Sequence, residues 1–268
     1  MRILSLVVLC AASAVAQLFP ANAEGITMGH VHLNARDVNA VKAFYTDAMG
    51  GTVVKNGTIE MVAFPGVYIL IRQADNPEPA GGSIVDHFGF TVKDMPGSLT
   101  KWKAMGLKID PTQNPNEVYV WGPDGVKVEV YGIPEQPSPV QMNHIHYFTP
   151  DIPGIQAWYA KMFSATAGTR DCIACLPNKV PIQAGDMAGV SLSYGRGAAT
   201  IVGTKGRALD HIGFEVKNLD AYVKKLEGLG AKLEAPVRQL PNSALKVAFL
   251  TDPWGTYIEL TEGLAPAK

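Results

Sequence analysis

Gly29-His30-Val31-His32-Leu33-Asn34 opens an alternating run that recurs three more times: Asp86-His87-Phe88-Gly89-Phe90-Thr91, Asn143-His144-Ile145-His146-Tyr147-Phe148 and Asp210-His211-Ile212-Gly213-Phe214-Glu215. These stretches hold all six histidines of the chain, and the leading histidines are 57, 57 and 67 residues apart. Self-similarity at such a period marks a repeated supersecondary unit. Strand alternation puts His30, His32 and Asn34 on one face, and Val31 and Leu33 on the other. In the fourth stretch Ile212, Phe214 and Val216 face one way, and His211, Gly213 and Glu215 the other. The apolar face is expected to pack on a helix and the polar face to line a cavity. Imidazoles at one repeat position point to a metal site assembled from several units.

Working outward, each run is followed by a helix signal. Asp37 can cap the first helix, with Val38, Val41, Phe44, Tyr45, Ala48 and Met49 at helical spacing before Gly50-Gly51. Asp94, Asp151 and Asn218 take the capping place in the other units. Short apolar or alternating runs split by turn residues come next, so each unit reads as strand, helix and about three strands. Residues 133–141 carry Pro134, Pro137 and Pro139 and suit an extended linker. Two units on each side of it suggest two similar halves.

The second and fourth units end alike, in Pro123-Asp124-Gly125-Val126-Lys127-Val128-Glu129-Val130 and Asp252-Pro253-Trp254-Gly255-Thr256-Tyr257-Ile258-Glu259-Leu260. Glu129 and Glu259 each lie four residues past the glycine, inside an apolar strand where an unpaired carboxylate is costly to bury. The aligned places in the first and third units, Leu70 and Ser193, are not acidic. Each half thus offers two histidines and a glutamate: His30, His87 and Glu129, then His144, His211 and Glu259. Two imidazoles and a carboxylate can hold one face of a divalent metal and leave positions open for substrate.

Val85-Asp86-His87-Phe88-Gly89-Phe90-Thr91-Val92-Lys93-Asp94, Leu209-Asp210-His211-Ile212-Gly213-Phe214-Glu215-Val216-Lys217-Asn218 and Thr251-Asp252-Pro253-Trp254-Gly255-Thr256-Tyr257-Ile258-Glu259-Leu260 resemble the vicinal oxygen chelate superfamily. That superfamily includes glyoxalase I, extradiol dioxygenases and the fosfomycin and bleomycin resistance proteins, and the resemblance spans nearly all of residues 26–262. It implies an α+β fold of four βαβββ modules, paired into two open barrel-like halves, 26–132 and 142–262. It implies a divalent metal such as Fe2+, Mn2+, Zn2+ or Ni2+ and a small substrate with vicinal oxygens. The four-module layout is similar to that of extradiol dioxygenases, which keep iron on residues matching His144, His211 and Glu259. Their usual tyrosine, ten residues before the metal glutamate, is matched here by Phe249, and their spare histidines by His146 alone. The second glutamate of glyoxalase I has no counterpart at the aligned positions. Glyoxalase-type lyase or isomerase chemistry is the other enzymatic expectation. A sequestering protein of the bleomycin-resistance type, without catalysis, is the alternative.

His146 and His32 share the ligand face and could move protons, and Glu215 offers a further carboxylate as base. Both halves are expected to bind metal, and turnover is expected in the second. At the start of the chain, Arg2, an apolar run over residues 3–16 and Ala21-Asn22-Ala23 form the pattern of a secretory signal peptide ending at residue 23. The expected product is exported, periplasmic or extracellular, and not anchored in a membrane. Its 22 basic against 24 acidic residues, after loss of Arg2, give −2, with no basic block to attract nucleic acid. Cys10 leaves with the leader, and Cys172-Ile173-Ala174-Cys175 is expected to close a local disulfide after export.

Overall fold

The computed structural model of the chain describes residues 17–171, 181–198 and 200–265. Cys172, Cys175 and the apolar leader lie outside the described residues. Each unit forms the expected strand, helix and three strands. The first has β1 (Ile26–Ala35), α1 (Val38–Ala43), β2 (Thr52–Asn56), β3 (Ile59–Phe64) and β4 (Val67–Gln73). The second has β5 (Val85–Val92), α2 (Met95–Ala104), β6 (Ile109–Pro111), β7 (Glu117–Trp121) and β8 (Lys127–Gly132). The third has β9 (Val140–Thr149), α3 (Ile152–Phe163), β10 (Thr166–Asp171), β11 (Pro181–Met187) and β12 (Val190–Arg196). The fourth has β13 (Leu209–Val216), α4 (Leu219–Gly228), β14 (Arg238–Gln239), β15 (Lys246–Thr251) and β16 (Tyr257–Glu262). Asp37, Asp94, Asp151 and Asn218 cap the four helices, each accepting from a first-turn backbone N–H. Such a cap is worth about 1 kcal/mol, because it satisfies donors the helix leaves open.

The modules pair, but not as the two expected halves. One eight-stranded sheet runs β14-β15-β16-β13-β1-β4-β3-β2, and the other β10-β11-β12-β9-β5-β8-β7-β6. The first module therefore shares a sheet with the fourth, and the second with the third. The expected halves 26–132 and 142–262 each give one module to each sheet. Residues 133–139 join β8 and β9 of one sheet. So short a connection sets the third module beside the second. The passages between sheets are instead 74–84 and 197–208. They run side by side, with Ile84 N–H donating to the Val202 carbonyl and Ala208 N–H to that of Glu78.

The apolar strand faces meet the helices in one continuous core that includes Val31, Phe88, Ile145 and Ile212. Tyr45, in a π turn after α1, stacks on Phe88 of the other sheet at 6.3 Å, and Phe163 of α3 meets Phe214 at 5.1 Å. Strict alternation fails at four points. The pairing of β1 with β13 skips Gly29 and Asp210, and that of β5 with β9 skips Asp86 and Asn143. Each is a β-bulge that turns the chain by one residue. For this reason Met28 and Leu209 join the core although they lie two residues from the inward histidines His30 and His211. Among the described residues no helix is long and apolar enough to cross a membrane.

Candidate metal centres

The six residues read from the sequence as ligands converge at two places, grouped across the expected halves. The pairing of β1 with β13 gathers His30, His32, His211 and Glu259, here the outer-pair site. The pairing of β5 with β9 gathers His87, Glu129, His144 and His146, the inner-pair site. Within each group the donor atoms lie within 4.8 Å of one another. The sets expected from the halves, His30 with His87 and Glu129, and His144 with His211 and Glu259, are thus exchanged. His30 joins Glu259, and His144 joins Glu129. First-strand sequences alike in all modules cannot say which edge meets which.

One carboxylate oxygen anchors each group. Glu259 Oε2 lies 2.9 Å from Nε2 of both His30 and His211. Glu129 Oε2 lies 3.0 Å from His87 Nε2 and 2.7 Å from His144 Nε2. The far side of three rings is fixed by a residue the sequence analysis left without a role. His211 Nδ1 donates to Asp210 at 2.6 Å, His87 Nδ1 to Asp86 at 2.7 Å and His144 Nδ1 to Asn143 Oδ1 at 2.9 Å. Neighbours on a regular strand face opposite ways; the bulges at Asp86, Asn143 and Asp210 bring them round to the ring edge. The signal was the acid or amide directly before each of these histidines. Their matching residue in the first module is Gly29, and His30 Nδ1 is buried without a partner among the described residues.

These bonds decide what the centres need. With the proton on Nδ1, His87, His144 and His211 each turn the Nε2 lone pair toward an anionic oxygen about 3 Å away or less. Two acceptors cannot share that gap unless a proton or a metal ion joins them. Burial makes the demand stronger, since an uncompensated buried charge costs several kcal/mol. A divalent ion answers all the acceptors at once, and the carboxylate–histidine arrangement is the one that orients metal-ligating rings. The donor set therefore fits a divalent metal. Titration agrees. Burial lowers His30 and His144. In His87 and His211 burial acts downward too, but the flanking carboxylates outweigh it and raise them. Burial pushes Glu129 and Glu259 up, but the histidines overcome it and hold both well below the usual range.

Two glycines are shaped by these rings. Gly213 lies opposite His30, and Gly89 opposite His144, across the antiparallel pairs. A Cβ at either would overlap the imidazole.

Of the three residues read as proton carriers, His146 lies on one sheet and His32 and Glu215 on the other. His146 faces the inner-pair donors, its ring 4.7 Å from His87 and stacked on Phe148 at 4.8 Å. Glu215 lies on the sheet of the outer pair, and its carboxylate is committed. It accepts from Thr261 Oγ1 at 2.5 Å and from the backbone N–H groups of Gly263 and Leu264 at 2.7 and 3.1 Å. Burial pushes Glu215 up to about 7.

Beyond the ligands the sites differ. In cross-strand register Tyr119 faces Glu129 where Phe249 faces Glu259, and Glu117 faces Tyr131 where Val247 faces Thr261. Glu117 is buried, and burial together with the neighbouring Glu129 carboxylate pushes it up to about 8. The outer-pair site opens into a cavity of about 550 Å3 whose walls include His32, Arg72, His211, Val247, Phe249 and Tyr257.

Residues 27–171 match the family described as the Glyoxalase/Bleomycin resistance protein/Dioxygenase superfamily. Glyoxalase I from Zea mays is similar in structure, with a TM-score of 0.70 at 18% identity over 89% of this chain and 92% of that one. A putative dioxygenase from Bacillus subtilis has a TM-score of 0.65 at 12% identity, over 90% and 86%. At these identities the likeness is one of fold. No curated protein sequence matches the chain.

Proposed function

Because the chain belongs to the glyoxalase/bleomycin resistance protein/dioxygenase superfamily, we propose that it is a metal-dependent enzyme that binds a small substrate through two adjacent oxygens and moves a proton beside them. The observation that carries this reading is the convergence of imidazole nitrogens on one buried carboxylate oxygen in each site. A divalent ion held there supplies Lewis-acid polarisation of the substrate oxygens. Oxygen-dependent ring cleavage is the second enzymatic outcome, and it requires iron.

Proton transfer needs a group beyond the ligands, and the inner-pair site has one. Glu117 lies buried near the Glu129 carboxylate, and burial with that like charge favours its protonated form. Glu117 occupies the place where Val247 lines the outer cavity. In this reading it exchanges a proton with substrate, and Tyr119 stands edge-on to His87 at 5.4 Å beside it. Turnover is assigned to the inner-pair site, which takes His144 and His146 from the second half of the chain and His87 and Glu129 from the first. Glu215, held by three hydrogen bonds, serves the outer sheet as a brace for the C-terminal turn.

The test is the full chain loaded separately with Zn2+, Ni2+, Mn2+ and Fe2+ and offered hemithioacetals, α-hydroxycarbonyls and catechols. Conversion of a proton-transfer substrate is expected. Glu117→Gln should lower kcat by about 10²–10⁴, the usual worth of a general acid or base, without changing metal content. An unchanged kcat would remove Glu117 from the mechanism. No conversion by any metal-loaded form would favour a sequestering protein.

Export is part of the same proposal, with the processing point moved. Residues 17–22 are folded onto the body of the protein. Gln17 O accepts from Gly66 N–H at 2.9 Å, Leu18 packs on the cluster of Met61, Tyr68 and Leu70, and Phe19 lies against Gly66 and Gly189. Cleavage after Ala23 strips these contacts, whereas Ala14-Val15-Ala16 has the same small-residue pattern and keeps them. The intact mass of protein recovered from the exported fraction should correspond to a chain starting at Gln17. A mass starting at Glu24 would restore the later site, and an uncut chain would oppose export by this route.

A further inference from the structure

In every module the histidine-bearing strand lies parallel to the module's last strand, and one cross-strand pair faces the metal centre. In the second and fourth modules that pair is Gly89 with Glu129 and Gly213 with Glu259. In the first and third it is His32 with Leu70 and His146 with Ser193. Each pair carries one side chain able to bind a metal. Where the last strand has the carboxylate, the first strand has glycine; where the last strand has none, the first strand has histidine.

We propose that His32 and His146 are direct metal ligands, a donor moved from the last strand to the first, so that each centre is built of three imidazoles and one carboxylate. The inference rests on the metal-centre reading above and goes beyond it. Three observations support it. Both ring nitrogens of His32 are buried without a hydrogen-bond partner among the described residues. A donor atom of His32, and one of His146, lies within 4.8 Å of every other donor in its group. The rings stand close to the histidine of the partner module, His32 at 4.5 Å from His211 and His146 at 4.7 Å from His87. The exchange also has a steric reason. The residue matching His32 in the fourth module is Gly213, and a side chain there would strike His30. The even modules must therefore place their second donor on the next strand, while the odd modules are free to place it on the first. Three imidazoles and one carboxylate favour Zn2+, Ni2+, Co2+ or Fe2+ over Mg2+ and Ca2+, which prefer oxygen.

The test is Co2+ titration of the full chain, followed by the visible absorption of the bound ion, which reports its ligands directly. Wild type should take two equivalents. His32→Gly should weaken one of them by more than the roughly 10–100-fold typical of an outer partner, and change its spectrum. His32→Gly with Leu70→Glu should recover the affinity by returning the donor to the last strand. His146→Gly with and without Ser193→Glu should repeat the pattern at the other centre. His32→Gln, which keeps a side chain on the strand, guards against loss through misfolding and should show the same weakening with an unchanged circular dichroism spectrum. Wild-type affinity and spectrum in both single variants at His32 would overturn the proposal. Loss in His32→Gly without recovery in the double variant would overturn the exchange of donors. Failure of wild type to bind Co2+ at all would bring down the metal-centre reading itself, an outcome distinct from either.

Discussion

Glu259→Ala is expected to empty the outer-pair centre and leave the inner one loaded, halving the metal bound per chain. Glu259 Oε2 is the anion on which His30 and His211 both converge. Without it the centre keeps only neutral imidazoles, too little charge to hold a divalent ion against water. The stronger form of the prediction concerns partnership across the chain. His30→Ala should remove the same equivalent of metal as Glu259→Ala, and combining the two should remove no more, since residues of one centre fail as a unit. His30→Ala with Glu129→Ala should empty both centres. Had the centres been built within halves, His30 and Glu129 would belong together and the pattern would be reversed. Elemental analysis of the four proteins decides the matter. Full metal in Glu259→Ala would end the assignment.

Gly213→Ala should abolish metal binding at the outer-pair centre by adding a single methyl group. The new Cβ would overlap the His30 ring, which is fully buried and cannot retreat without leaving its bond to Glu259. Forcing the overlap costs on the order of 1–3 kcal/mol, and the ring relieves it by swinging away from the donors. The chain should therefore fold with a modestly lower Tm and one equivalent of metal instead of two. Gly89→Ala should do the same to the inner centre through His144. Gly228, at the end of α4, has open space at its Cβ position and supplies the control. Gly228→Ala should leave metal content unchanged. If Gly213→Ala binds two equivalents, the pressure of His30 on that glycine is not what the packing indicates.

The repeat, the helix caps and the ligand types were legible in the sequence because each depends on residues close together in the chain. Asp37 caps α1 through N–H groups two and three residues on, and the inward phase of His30 and His32 follows from alternation within one strand. The acids and amide beside the histidines were visible yet misplaced by the same rule, because alternation sends Asp86, Asn143 and Asp210 to the opposite face. A bulge reverses that, and a bulge belongs to a strand pair, not to a strand. Glu117 was illegible for a related reason: its interest lies in being buried near Glu129 of the adjacent strand, a neighbour that only the pairing of β7 with β8 supplies.

By itself the sequence determined the chemistry available: six histidines and two buried glutamates in fourfold phase, on strands whose other face is apolar. Only the tertiary structure decided which donors share an ion. The four histidine-bearing strands are near-copies, so any edge could pair with any other, and local sequence holds little preference among the arrangements. The short passage over residues 133–139 sets β9 in the sheet of β5 and β8, and the fourth module then closes on the open edge of the first. That choice of edges carries His30 to Glu259 and His144 to Glu129, partners 229 residues apart in one case and neighbouring modules in the other.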